Sequence, residues 1–376
     1  MIFLGNKSLL DDKSAVILNS SQSKIPCGND SWIKATSDAS LSLIRSGYTL
    51  VTSLGLNTWE LTAYLAVEFG GKQIIVSPDI DDCGGVEILN RTIEQFGIDP
   101  QRFAMVFMTD RKKSNKPKAN WENRDMTAIS LANLLVSVSV RPAGRLEKLI
   151  ENAAPAKTIE SAYRVEYQKP NIRPPRYLIE EIRFDPAMWN YITHWTRTCH
   201  GPWPGQSKRS FYESLINSNS EYPNNALRTL INIARERRIR ASSERLRKGE
   251  RAVGFTESNA AETIARIRWL PKRSNWNFEP YGIAIRKQTA IKIGIRPVYY
   301  GESHDYFSLP PDERPFFQSR GGKGVDWSEE REWRYPGDID LTKISSEDIK
   351  FLTWRKSEAD LIQATAKTDA VALTQG

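Results

Sequence analysis

The sequence predicts two domains of different class: an α/β fold with a largely parallel sheet over residues 1–152, and an α+β fold with a mainly antiparallel sheet over 177–376. Three observations predict it. The 376-residue length exceeds one ordinary core. Short apolar runs alternate with amphipathic runs up to residue 152. Beyond residue 177, helical patterns come first and strand patterns follow.

In order, the first domain is read as strands at 2–4 and 15–18, a helix at 31–45 with Ser31 as N-cap, then a strand at 48–52 and a helix at 58–69. A strand at 72–76, a helix at 85–96, a strand at 103–107, a helix at 123–132, a strand at 134–138 and a helix at 145–152 follow. Strands separated by helices imply right-handed crossovers and a sheet covered on both faces. Residues 153–176 hold Ala-Ala-Pro-Ala and Arg-Pro-Pro-Arg and read as a Pro-rich linker. In the second domain a strand pattern leads into 191–206, which carries His194, Trp195, Arg197, His200, Trp203 and a Pro-Trp-Pro-Gly turn, the make-up of a cleft wall. Helices are expected at 210–217 and 226–248, then strands at 252–256, 282–286, 296–300, 330–335 and 349–353, and a final helix from Ser357.

The formal net charge of +8 favours anionic partners. Its excess concentrates between Arg235 and Arg251, where eight Arg or Lys stand against three Glu. As the continuation of an amphipathic helix, this stretch is either a solvated face or a patch for nucleic-acid phosphate. Residues 109–122 form a second basic stretch, a phosphate contact or a solvated connection. Cys27, Cys83 and Cys199 lie far apart, which gives no disulfide framework and fits a reducing, cytoplasmic setting. No zinc pattern and no apolar run of ~20 residues occurs, so neither a metal nor a membrane span is expected.

Ligands on parallel sheets bind outside the carboxyl ends of the strands. Three stretches fall there: Asn19 to Gln22; Thr52 to Thr58, with Ser53, Gly55 and Asn57; and Ser137 to Gly144, with Arg141. Small residues at a helix start offer N–H groups to a phosphate, although each loop alone is also an ordinary turn. The run Gly47-Tyr48-Thr49-Leu50-Val51-Thr52-Ser53-Leu54-Gly55, a helix, then Gly70-Gly71-Lys72-Gln73-Ile74-Ile75-Val76-Ser77-Pro78, resembles the Rossmann-like SLOG superfamily. The resemblance covers about 40% of the chain. It implies binding of a nucleotide, a nucleotide-derived signal or single-stranded DNA. The Pro-Gly-Gly-x-Gly-Thr-x-x-Glu motif of its phosphoribohydrolase branch is absent, so hydrolysis in this domain is the weakest reading.

The second domain carries His194-Trp195-Thr196-Arg197, Phe255-Thr256-Glu257-Ser258 and Glu330-Arg331-Glu332-Trp333-Arg334 at expected strand ends. This order of Arg or His, hydroxyl and Glu-x-Glu resembles ADP-ribosyltransferases. The resemblance implies NAD as substrate, with Glu332 stabilising a cation-like ribose, Glu330 orienting or deprotonating the acceptor, and Thr256 supporting Glu332. It implies further that Arg197 grips the diphosphate, His194 binds the adenosine ribose, and Tyr281 or Trp333 stacks on nicotinamide. A charged edge strand explains Glu-Glu-Arg-Glu-Trp-Arg equally well. A sensor joined to an NAD-consuming effector suits antiviral or stress defence. The rival reading is a non-enzymatic protein binding single-stranded nucleic acid.

Overall fold

The computed structural model describes residues 1–77, 84–108, 117–170, 177, 189–243, 246–247, 249–270, 275–320 and 331–373, with side chains of 117–120 left aside. The chain forms two compact units: Met1–Ile172 with Gln206–Pro223, and Arg173–Gly205 with Asn224–Gly376. Residues 206–223, which the sequence pattern groups with the second half, therefore belong to the first unit, as does most of the Pro-rich stretch.

The first unit is an α/β fold. Its strands are β1 (Ile2–Gly5), β2 (Ser14–Asn19), β3 (Thr49–Ser53), β4 (Gln73–Ser77), β5 (Phe103–Phe107), β6 (Leu134–Ser139) and β7 (Thr158–Glu160). They lie in the order β1-β5-β4-β3-β2-β6-β7 and are parallel except for β1. The helices are α1 (Ser31–Arg45), α2 (Asn57–Glu68), α3 (Gly85–Phe96), α4 (Pro117–Leu131), α5 (Arg145–Ala153) and α6 (Lys208–Ile216). The central strands β2 to β5 are buried along their whole length, as a sheet covered on both faces requires. Chain direction reverses between β2 and β6, so the topological switch point lies at their carboxyl ends.

Helix α1 is capped at Asp30 rather than Ser31, and the Asp30 carboxylate does not cap it. That carboxylate instead accepts from the Cys27 N–H at 3.2 Å and the Cys27 thiol at 3.2 Å. Helix α6 adds Phe211, Tyr212 and Leu215 to the core formed by α2, α3 and the sheet. A Cβ at Gly28 would sit 2.0 Å from the Ser218 carbonyl oxygen, so the loop before α1 packs directly on the chain leaving α6.

The second unit is α+β. Its elements are β8 (Tyr191–Trp195), α7 (Ala226–Glu236), β9 (Arg238–Ile239), β10 (Ala252–Thr256), α8 (Ala260–Ala265), β11 (Trp269–Leu270), β12 (Asn275–Trp276) and β13 (Gly282–Arg286). After these come α9 (Lys287–Lys292), β14 (Arg296–Pro297), β15 (Tyr299–Gly301), α10 (Asp305–Ser308), β16 (Phe317–Ser319), β17 (Glu332–Pro336), β18 (Ile339–Asp340), β19 (Ile349–Thr353), α11 (Lys356–Ala366) and β20 (Ala370–Ala372). The main sheet runs β14-β17-β10-β8-β13-β19-β20 and is antiparallel apart from the pair β19–β20.

In this unit three of the expected elements differ from the sequence pattern, and in the first unit the helix expected at 123–132 spans Pro117–Leu131. The helix expected over 226–248 stops at Glu236, because Arg237 takes a left-handed conformation (φ 50°) that closes the last turn on the Ile233 carbonyl. The strand expected over 296–300 breaks at Val298, whose N–H bonds to the Glu332 carbonyl, into β14 on β17 and β15 on β16. The strand expected over 330–335 begins at Glu332, after left-handed Arg331 (φ 44°); Glu330 lies outside the described residues.

Candidate functional site

Strands β8 and β10 share a single residue pair, Thr193 with Thr256. Beyond it they part, while β8 stays paired with β13 from Tyr191 to Trp195 and β10 with β17 from Ala252 to Thr256. The sheet therefore opens in its middle. A cavity of about 1090 Å3 lies at this opening. His194, Arg197, Thr256 and Glu332, distant along the chain, all line it.

The local chain explains each position. Thr193, Thr256 and Glu332 are cross-strand partners on three adjacent strands, so their side chains share one face. His194 projects from the other face, its ring 5.7 Å from that of Phe255. Its Nδ1 lies 2.7 Å from the Gly254 carbonyl oxygen, which spans the gap where ladder bonds are missing. A carbonyl only accepts, so Nδ1 carries the proton. Desolvation, with a smaller push from Arg197, lowers the imidazole pKa to about 4 despite the Gly254 bond, so the ring is neutral at pH 7.

Arg197 follows the end of β8, with its guanidinium 5.6 Å from the Phe278 ring centre. The strand end is anchored on Glu279, which is 3% exposed. The Glu279 carboxyl accepts from the Thr198 N–H at 2.6 Å, the Thr198 hydroxyl at 3.0 Å and the Tyr177 hydroxyl at 3.0 Å. Burial pushes the Glu279 carboxyl up, against the pull of these bonds and of Arg197. The Pro-Trp-Pro-Gly turn is held by the Trp203 indole N–H on the Thr229 hydroxyl at 2.9 Å, and Trp203 lines the cavity.

Glu332 is gripped by Arg334, Nε to Oε1 at 2.8 Å and a terminal nitrogen to Oε2 at 3.2 Å. Arg334 is 4% exposed, and it also donates to the carbonyls of Pro315 and Phe317 and to the side chain of Gln318. Glu332 keeps a quarter of its side chain accessible, on the cavity side of the pair. Both β17 residues face the opening because Trp333 between them points into the core.

Tyr281 and Trp333 do not line the cavity, contrary to the stacking role expected of them. Both belong to the core, the Tyr281 hydroxyl donating to Glu358 at 3.1 Å and the Trp333 indole N–H to Glu257 at 3.1 Å. The basic stretch 235–251 is likewise not one helix face. Arg237 ties internally to the Ala366 carbonyl and Thr368, whereas Arg238, Arg240 and Arg251 reach the cavity wall. Arg240 pairs there with Glu236 at 3.0 Å and Arg251 with Asp338 at 3.7 Å.

Two cavity-lining groups escaped the sequence pattern. The Thr193 hydroxyl is fully buried and the Trp195 indole N–H sits on a side chain 7% exposed. Neither has a hydrogen-bond partner among the described residues. Threonine and tryptophan on a strand are commonplace, so only the structure exposes this.

In the first unit the expected phosphate loop is satisfied from within. The Gly55 N–H donates to Glu60 Oε1 at 2.9 Å, the Ser53 hydroxyl to the Val76 carbonyl at 2.6 Å, and the Asn57 amide to the Ser23 carbonyl at 2.7 Å. Lys208 Nζ at 2.5 Å and the Tyr212 hydroxyl at 3.2 Å complete the Glu60 carboxylate. Glu60 thus takes up the Gly55 N–H that the loop would offer an anion, and the Ser53 hydroxyl and the Asn57 side-chain amide are likewise bonded within the chain. At the switch point, the Arg141 N–H bonds to the Ser20 hydroxyl at 2.8 Å and the Gln22 amide to the Ser139 hydroxyl at 3.0 Å, joining the two loops, and Arg141 itself is exposed.

Among the described residues no cluster of metal-ligating side chains occurs, and no helix is long and apolar enough to cross a membrane. No protein-family model matches the chain, and no curated protein matches its sequence. Solved structures give distant likenesses over the N-terminal part. One is DNA processing protein A from Helicobacter pylori, described for its single-stranded DNA binding mode, at 14% identity over 42% of this chain and 69% of that one, TM-score 0.31. The Streptococcus pneumoniae protein of the same name shows 15% identity over 42% of this chain, TM-score 0.33, and the match spans about half (52%) of its length. The molybdenum cofactor carrier protein of Chlamydomonas reinhardtii shows 15% identity over 39% of this chain and 74% of that one, TM-score 0.25. The α/β assignment of the first unit rests on its own strand order and parallel pairing.

Proposed function

We propose that the second unit binds NAD in the cavity and cleaves its nicotinamide–ribose bond, passing ADP-ribose to nucleic acid or to water. The observation that carries this reading is the meeting of Arg197, His194, Thr256 and Glu332 at one cavity, with Glu332 held in place by a buried guanidinium. The residues fit the ligand. The volume suits a dinucleotide. Arg197 offers a planar fork to the diphosphate, and neutral His194 keeps Nε2 as an acceptor for a ribose hydroxyl.

In the step itself the bond between ribose C1′ and the ring nitrogen breaks, and its electron pair leaves with nicotinamide, which becomes neutral. Positive charge grows on the ribose, and the Glu332 carboxylate stabilises it. A lone pair of the acceptor oxygen or nitrogen then bonds to C1′, and the acceptor's proton passes to a carboxylate or to solvent. Glu330 is the proposed base for that proton.

The first unit, on its SLOG resemblance, is proposed to recognise a nucleotide-derived signal or nucleic acid at the β2–β6 switch point, where Arg141 is exposed. A sensor and an NAD-consuming effector in one chain suit antiviral defence in the cytoplasm. The net charge of +8 supports a second reading, non-enzymatic binding of single-stranded nucleic acid. The deciding experiment incubates the protein with NAD, with and without single-stranded DNA or RNA. Nicotinamide release or label transfer, lost in Arg197→Ala, is the expected result. Absence of both, with salt-sensitive nucleic-acid binding intact, overturns the enzymatic reading in favour of the second.

A further inference from the structure

Surface cations with no acid among them repel one another and attract anions. Residues 263–278 hold Arg266, Arg268, Lys272 and Arg273 and no Asp or Glu. Lys272 and Arg273 lie outside the described residues; Arg266 and Arg268 are both exposed. They stand at the foot of the ribbon β11–β12, which forms a two-stranded sheet of its own. Two strands alone are marginally stable in water, so such a ribbon needs a mount. Trp269 and Trp276 are cross-strand partners with ring centres 5.6 Å apart. Trp276 lies 5.5 Å from Tyr177, which lies 6.4 Å from buried Tyr281. The tryptophans thus bolt the ribbon to the core.

Asn277 clasps the backbone of the two arginines. Its side chain accepts from the Arg268 N–H at 2.7 Å and donates to the Arg266 carbonyl at 2.8 Å, and its own N–H donates to the Arg268 carbonyl at 3.1 Å. The next residue, Phe278, lines the cavity, with the Arg197 guanidinium 5.6 Å from its ring centre. Two exposed cations are therefore tied to the residue that precedes the cavity wall.

We propose that the foot of this ribbon holds the backbone of a single strand of nucleic acid, with phosphates on Arg266 and Arg268 and a base turned into the cavity past Phe278; this rests on the reading above that nucleic acid is the acceptor. A single strand is the fitting form, because a base inside a duplex is stacked and paired away from any reagent. Arginine suits the contact, since its planar fork stays charged and matches two phosphate oxygens at once. The mount matters as well: cations already held in place lose less freedom when they grip a ligand.

The test measures binding of a fluorescently labelled single-stranded DNA to the full chain by anisotropy over a range of salt. Arg266→Gln with Arg268→Gln removes both cations at exposed positions and leaves the tryptophan mount, so the melting temperature stays that of the parent. Binding about tenfold weaker is expected, with the slope of log affinity against log salt flatter by about 1.4, as two lost phosphate contacts require on a single strand. Arg266→Lys with Arg268→Lys, which keeps the charge, regains most of the affinity. Lys292→Gln with Lys343→Gln removes the same charge from exposed positions elsewhere in the unit and leaves both quantities unchanged. Equal losses in the two glutamine variants make the effect one of total charge and overturn the inference. Binding by Arg266→Gln with Arg268→Gln equal to the parent's overturns it too, while the acceptor reading stands. If the parent binds no single strand, the nucleic-acid reading falls and takes the inference with it.

Discussion

Glu60 in the first unit and Glu332 in the second are built alike and used differently. Each is a carboxylate held by one cation, Lys208 for Glu60 and Arg334 for Glu332. Glu60 also receives the Gly55 N–H and the Tyr212 hydroxyl, so its oxygens are spoken for by the chain. Glu332 accepts two bonds from the Arg334 guanidinium and keeps an accessible side facing a cavity. The first arrangement closes a loop; the second leaves acceptor capacity for something outside the chain. An acidic residue at a strand or helix end is thus informative only once its partners have been counted.

The comparison breaks most visibly at Glu332. Glu332→Gln leaves the Arg334 guanidinium buried without its counter-charge, and a loss of about 3 kcal/mol is expected in urea unfolding. On sequence alone this substitution is an innocuous test of catalysis; the ion pair makes it a stability lesion as well. The double change Glu332→Gln with Arg334→Met removes the stranded charge and recovers most of the loss. If the single change is neutral, the pair is not what holds β17 at the opening.

Glu60→Ala sharpens the other half. It removes the acceptor of three donors, and about 2 kcal/mol of stability goes with it. The emptied loop then offers the Gly55 N–H and Lys208 to an anion. Calorimetric titration with inorganic phosphate should show binding in Glu60→Ala and none at this loop in the parent. Equal phosphate binding by both proteins would mean that Glu60 does not occupy an anion position.

The smallest effect concerns His194. Its folded pKa of about 4 lies below the ordinary value of 6.5. The unfolded chain therefore binds a proton first as pH falls, so stability drops between about pH 6.5 and 4 and is fully present above that window. Urea midpoints measured from pH 7 to 4 should fall less steeply for His194→Gln than for the parent. Parallel profiles would place the imidazole in water.

Much of the architecture was legible because burial writes itself into periodicity. The parallel sheet follows from apolar runs such as Ile17, Val51, Ile74 and Val106, spaced by amphipathic helices. The end of α7 was not legible: the pattern through Leu227, Leu230, Ile231 and Ala234 continues smoothly, and nothing but the left-handed backbone of Arg237 stops it. In the site, His194, Arg197, Thr256 and Glu332 stand out by chemical type. The roles of Arg334 and Glu279 depend on partners from elsewhere in the chain, and those of Tyr281 and Trp333 on which way a strand faces. Thr193 carries no signal at all until its hydroxyl is seen to lack a partner among the described residues.

The excursion of residues 206–223 has a genetic consequence. Its ends are pinned in the second unit, where the Cys199 N–H bonds to the Asn224 carbonyl at 2.9 Å and the Asn224 amide to the Gly201 carbonyl at 2.7 Å. The polypeptide passes from one unit to the other three times. A single recombination junction cannot exchange either half for a homologue without stripping α6 from its core. Inheritance should therefore have kept the two halves together as a matched pair, and shuffled libraries of this chain should survive only where 206–223 travels with residues 1–172.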